Sequence, residues 1–125
     1  RNVLQEEGQS YVVLYESSIN KCIEGCSLAR IEELSKKIDD LDPFSDEQDA
    51  FSAIILGGSA QLQFDKDGRI LLPKNLMEFA NITSSATFIG KGQIFEIWQP
   101  DLFKDYLVEA RIKIKNNRDI FRNAK

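Results

Sequence analysis

Apolar and polar positions along the chain switch between period-two and helical spacing, and the switches mark out a mixed set of short elements. Residues 11–15, "YVVLY", are β-branched and aromatic and predict a strand. After the turn-rich "ESSIN", residues 21–25, "KCIEG", resume as a second strand. Ser27 is placed to cap a helix, because Leu28, Ile31, Leu34 and Ile38 follow at helical spacing. The acidic stretch "DDLDPFSDEQD" contains Pro43 and reads as a linker. Ser45 with Gln48 matches a capping box, so a second helix is expected through "DAFSAIIL" to Gly57-Gly58. "AQLQF" alternates as a strand, "KNLMEFA" predicts a short helix, and "ATFIG", "KG" and "IFEIW" predict strand, turn and strand. Pro100 then suits the first turn of a last helix carrying Leu102, Phe103, Tyr106, Leu107 and Ala110 on one stripe.

The order short helix, strand, turn, strand, helix occurs from Arg1 and again from Lys74. "RNVL" stands against "KNLM" and "KCIEG" against "FEIWQ", at a spacing of about 73 residues. The second copy is preceded by "LQFDKDGRILLP" at 62–73, and the first has no equivalent before it. The chain also opens on arginine instead of methionine, which reads as a fragment or processed product lacking one hairpin.

That hairpin is the most informative stretch. An Asp67-Gly68 pair between apolar runs predicts a two-residue type I′ loop. Pairing outward sets Lys66 opposite Arg69, Asp65 opposite Ile70 and Phe64 opposite Leu71. Leu62, Phe64 and Leu71 then share one face while Ile70 and Leu72 take the other, so both faces need cover. Only the tip projects. A carboxylate of Asp65 or Asp67 can accept backbone N–H bonds of the turn or pair with Arg69, and Asp65 is assigned the job of holding the loop and aiming the arginine, whose planar fork suits phosphate oxygens or a guanine edge. Lys66 offers a less directional phosphate contact. The alternative is a solvated, salt-bridged hairpin with no ligand.

Charge and residue types narrow the function classes. The net charge is −4, yet residues 111–125 hold six cations against Asp119 alone, leaving −9 on residues 1–110. A local basic site therefore survives an acidic total, provided several sites act together. There is no histidine, so neither a serine triad nor a Cys-His pair can form. Asp65 with Asp67, or Glu96 beside Trp98, are the only carboxylate arrangements worth weighing for catalysis, and turn or strand packing explains them better. Cys22 and Cys26 stand three residues apart in between, the wrong spacing for a zinc knuckle, and read as buried thiols of a cytosolic protein. No phosphate loop, dinucleotide fingerprint, secretory signal or membrane-length apolar run is present, and no cofactor or small-molecule substrate is expected.

"FDKDGRILLPKNLMEFA" followed by "IGKGQIFEIWQPDLFKDYL" resembles the second half of the MraZ family, within the SpoVT/AbrB-like swapped-hairpin superfamily. The likeness covers residues 55–110 and rests on D-x-x-G-R-I-x-x-P, a short helix, "FEIW" and an amphipathic helix in that order. It implies an α+β fold of two tandem modules forming a small pseudo-two-fold β-barrel flanked by helices. The modules would be 1–54, with the start of a connecting helix, and 55–110, followed by a basic tail at 111–125. It implies ring-like homo-oligomers that bind repeated promoter elements of double-stranded DNA ahead of a division and cell-wall gene cluster, in the cytoplasm and on the nucleoid. Carried over by position, Arg69 and Lys66 would touch DNA, and Asp65, Asp67 and Gly68 would support the turn. A second reading is an antitoxin-like module of the same superfamily, with 111–125 as a toxin-binding tail.

Overall fold

A computed structural model describes residues 11–118. Its centre is one five-stranded antiparallel sheet in the order β3-β1-β2-β5-β4. The strands are β1 (Tyr11–Glu16), β2 (Ile23–Cys26), β3 (Ala60–Gln63), β4 (Thr87–Lys91) and β5 (Ile94–Trp98). Among the described residues this sheet is open, with β3 and β4 at its edges. The expected short helix at the start of the chain lies outside the described residues.

β1 explains why the sheet is covered on both sides. Val12, Val13, Leu14 and Tyr15 are consecutive and all buried, so neither face of this strand can meet water. Val12 and Leu14 join Ile23 and Ile97 beneath Leu76 and Ala80 of α3 (Lys74–Ala80). On the opposite face Val13, Tyr15 and Cys26 pack with Ile38 of α1 (Leu28–Asp39) and with Ile55. Ile55 belongs to a π-helical turn, Ser52–Leu56, that continues α2 (Asp46–Phe51). No helix among the described residues is long and apolar enough to cross a membrane.

Helix ends follow local chemistry. Ser27 Oγ accepts the Arg30 N–H at 3.1 Å, and Ser45 Oγ accepts that of Gln48 at 3.1 Å. The Ser45 N–H donates to the Asp42 carbonyl at 3.0 Å, where the capping box would have used the Gln48 side chain. The helix ends before Gly57 as expected, but without a left-handed glycine. Gly57 keeps right-handed helical angles, and its N–H closes the wide turn on the Ser52 carbonyl at 2.8 Å. Asn81 takes the left-handed position after α3, at φ 59°. The β4–β5 loop is Gly92-Gln93, one residue later than the "KG" turn read from sequence. Lys91 pairs with Ile94, and a positive φ at Gly92 alone fits a type II′ loop.

The two hairpins meet at a seam between β2 and β5. Ile23 lies opposite Ile97, Glu24 opposite Glu96 and Gly25 opposite Phe95. A Cβ at Gly25 would clash with Cζ of the Phe95 ring and lie 2.7 Å from both Phe95 Cε2 and Leu14 Cδ2, so the ring edge uses the space a side chain would need. Two facing carboxylates are unfavourable neighbours in a sheet. Each is therefore supplied with donors: the Ser17 hydroxyl donates to Glu24 at 2.8 Å, while Trp98 Nε1 and Lys91 Nζ donate to Glu96 at 2.8 and 3.2 Å.

Glu96 is almost fully buried, and its partners tie down α4 (Pro100–Asn116). Lys91 Nζ also donates to the Tyr106 hydroxyl at 3.3 Å, and the Trp98 ring lies 4.8 Å from that of Tyr106 and 5.7 Å from that of Phe103. Trp98 thus packs both in the core and against the last helix. Burial pulls the Lys91 pKa down, but the Glu96 and Tyr106 contacts outweigh it and leave it raised. Cys22 and Cys26 are buried thiols; burial, then the nearby Glu96 charge, pushes Cys22 up to about 12.

Two stability measurements check this seam. Gly25→Ala should lower unfolding free energy by about 1–3 kcal/mol, the usual cost of overpacking, seen as an earlier urea midpoint. Glu96→Leu strands the Trp98 and Lys91 donors and should cost about 1–3 kcal/mol, with the fluorescence of the only tryptophan shifting as its ring loses its anchor. Wild-type midpoints for both variants would remove the seam from any central role.

Candidate nucleic-acid interface

The tip between Phe64 and Ile70 is organised by Asp65. Its carbonyl accepts the Gly68 N–H at 2.9 Å, and its own N–H donates to the Arg69 carbonyl at 2.8 Å. Its Oδ1 accepts two further backbone N–H groups, from Asp67 at 2.9 Å and Arg69 at 2.8 Å. Gly68 holds a φ of 77°, and Asp67 has no positive φ. These bonds define a type I turn over 65–68 with glycine in the following left-handed position, closed by the Asp65–Arg69 pair.

The two-residue type I′ loop expected from Asp67-Gly68 is thereby corrected. Asp65 faces Arg69 instead of Ile70, a slip of one residue. Such a slip turns every side chain of one arm to the other face. Ile70 and Leu72 join Leu62 and Phe64 against the α3 side of the core, and Leu71 points away at 89% exposure. Only one face of this arm is buried among apolar neighbours, contrary to the two-sided reading. A type I turn favours Asp at its first position and Gly at its fourth, so Asp65-x-x-Gly68 carried this signal in the sequence.

The same turn aims the arginine. Arg69 Nε donates to Asp65 Oδ2 at 3.2 Å and Nη2 to Asp67 Oδ2 at 3.1 Å. The guanidinium still has its side chain 74% exposed, and among the described residues Nη1 has no hydrogen-bond partner. Lys66 is exposed and, among the described residues, has no hydrogen-bond or ion-pair partner. Five expected site residues are thus brought together: two cations outward, two carboxylates bracing one of them, and a glycine making the loop possible. A shallow hollow of about 400 Å³, lined by Gln63, Asp65, Arg69, Ile70 and Leu71, flanks the tip. Sequence reading gave the aiming of the arginine to Asp65; the structure divides it, with Asp67 taking Nη2, a division that depends on the turn geometry and not on spacing alone.

The family model described as "MraZ protein, putative antitoxin-like" matches residues 55–122, which hold the whole tip. The curated relatives agree over almost the full chain. It is 47% identical over 124 residues to the transcriptional regulator MraZ of Rickettsia bellii (strain OSU 85-389), covering 99% of this chain and 83% of the relative. The same coverage holds for those of Rickettsia canadensis (strain McKiel), at 48%, and Rickettsia typhi (strain ATCC VR-144 / Wilmington), at 49%. The chain belongs to the MraZ family. By the names of its relatives, MraZ is a family of transcriptional regulators and not of enzymes.

Protonation offers a test of the tip. The Arg69 N–H, opposed by desolvation and aided by the Asp67 N–H and the Arg69 side chain, holds the Asp65 carboxyl below the usual carboxylate range. A depressed folded-state pKa means the stabilising bonds are complete above the ordinary value of about 4 and vanish as pH falls through the lowered one. In a carboxylate-detected titration, Asp65 should titrate below that reference value. The Asp67 and Arg69 amide signals should move with the same midpoint. A reference-like midpoint for Asp65 would contradict the bonding described.

Proposed function

We propose that this chain is a DNA-binding transcriptional regulator of the MraZ type, contacting double-stranded promoter DNA through the 65–69 tip. The observation that carries the reading is a pair of cations, Lys66 and Arg69, displayed on a rigid loop whose carboxylates face the arginine from behind. Arg69 keeps one edge of its fork for a guanine edge in the major groove, and Lys66 is placed for a phosphate. Such a protein works in the cytoplasm and on the nucleoid.

The repeat and the sheet support the two-module reading within this proposal. β3 follows residue 54 yet pairs with β1, and the "IEG" and "FEI" strands pair antiparallel about Glu24 and Glu96. These are the exchanges that swapped hairpins make, with closure into a small barrel as the finer expectation. Ring-like homo-oligomers would set several tips against successive promoter repeats, so that avidity compensates for weak single contacts. The antitoxin-like description of the family model favours a second reading, a protein-interaction module without promoter binding.

Titration of the full chain against the upstream region of its own gene cluster separates the two. Arg69→Ala should weaken binding about 10- to 100-fold, the worth of one bidentate base contact. Lys66→Ala should weaken all duplexes alike and flatten the salt dependence. Unaltered affinity in Arg69→Ala, with the fold intact, would exclude the tip as the reading surface.

A further inference from the structure

A second dense patch of cations lies at the end of α4. Arg111, Lys113, Lys115 and Arg118 fall within eight residues with no acid among them, and every residue from 111 to 118 is exposed. Among the described residues, none of the four side chains has an ion-pair or hydrogen-bond partner. The negative end of the helix dipole accounts for Lys113 and Lys115 in the last turn. It does not account for Arg111 four residues before Lys115, where like charges on one side of a helix repel. An anion facing that side turns the repulsion into attraction.

Strand register shows where this helix end points. Ala60, Leu14, Gly25, Phe95 and Gly90 form one row across the sheet. From that row β3 runs on to Gln63 and the 65–69 tip, and β4 runs on to Lys91 and the Gly92-Gln93 loop. Both leave the sheet at the same end. α4 starts at the other end, after Trp98, and turns back: Phe103 meets Trp98, and Tyr106 already meets Lys91. The ten residues from Tyr106 to Asn116 add about 15 Å in that direction. The basic helix end therefore projects past the same end of the sheet as the tip. β3 and β4 stand four strand spacings apart, about 19 Å, which is about half a turn of a DNA duplex.

We propose that the end of α4 is a second DNA contact, in which Arg111, Lys113, Lys115 and Arg118 bind the phosphate backbone about half a turn from the base edge that Arg69 reads. This rests on the proposed function and divides the work between two elements. The tip, whose four charged residues cancel, supplies direction and little attraction. Exposed cations around a helix end recognise charge and not sequence, so they supply attraction and no discrimination. Contacts of that kind alone give binding of only about 10⁻⁴ to 10⁻⁶ M, so several chains still have to act together.

The test titrates the full chain against the duplex upstream of its own gene cluster and an unrelated duplex of equal length. Arg111→Gln with Lys115→Gln, and separately Lys113→Gln with Arg118→Gln, should weaken both duplexes by the same factor. The slope of log affinity against log salt should fall by about 2 for each chain on the duplex, since each lost phosphate contact removes about 0.9. Hydroxyl-radical footprints should lose the flanking backbone and keep the protection at the tip. Arg111→Lys with Lys115→Arg keeps the charge and should keep the wild-type slope. Circular dichroism checks the fold and light scattering the mass. An unaltered slope in both glutamine variants overturns the proposal. So does a fall in their mass, which would make the helix end a contact between copies. Loss of binding to phosphatidylglycerol vesicles with duplex binding unchanged also overturns it, by making the helix end a membrane contact. Arg69→Ala should instead lose the preference between duplexes and leave the α4-dependent slope in place. A wild type that binds neither duplex removes both readings, whereas unaltered glutamine variants beside an impaired Arg69→Ala remove this one alone.

Discussion

Two hairpins become one sheet only where β2 and β5 lie edge to edge, and that contact depends on a missing side chain. Gly25 leaves the space that the Phe95 ring fills, and the closeness this permits brings Glu24 opposite Glu96. The facing charges are tolerated because hydroxyl, indole and ammonium donors are already waiting for them. One of those donors, Lys91, also binds Tyr106, so the solution to a charge problem in the sheet doubles as the mooring for α4. Strand register at the seam and the placement of α4 both draw on this close approach.

The tip obeys a similar economy on a smaller scale. Asp65 satisfies four polar groups of the loop and the guanidinium besides, using backbone and side chain together. A loop held by its own first residue needs little from the rest of the molecule. That independence lets the tip stand clear of the core and keep a defined shape, which is what presentation of an arginine to a partner requires.

Features set by adjacent residues were legible in the sequence. Ser27 and Ser45 cap their helices because a hydroxyl three residues from an N–H is a local matter, and "YVVLY" reads as a strand, its burial on both faces coming from the structure. The site residues were legible as a cluster. Their register was not, because Asp65-x-x-Gly68 and Asp67-Gly68 each specify a good turn and only the first lets the Asp65 carboxylate collect two N–H groups. Leu71 was misplaced for the same reason, since one residue of slip exchanges the faces. The seam was invisible: nothing local to Gly25 reports a phenylalanine seventy residues away.

The charge of the tip bears on how a regulator of this kind would find its site. Asp65, Lys66, Asp67 and Arg69 sum to zero, and the chain as a whole is acidic, so a single tip has little long-range pull on a phosphate backbone. What it has is direction, with Arg69 paired to two carboxylates that orient its guanidinium. Under the proposed reading, the bracing acids reduce indiscriminate attraction and leave discrimination to the exposed edge of the fork. Affinity must then be assembled from several tips at once, which makes self-association a requirement of DNA binding instead of an accompaniment to it.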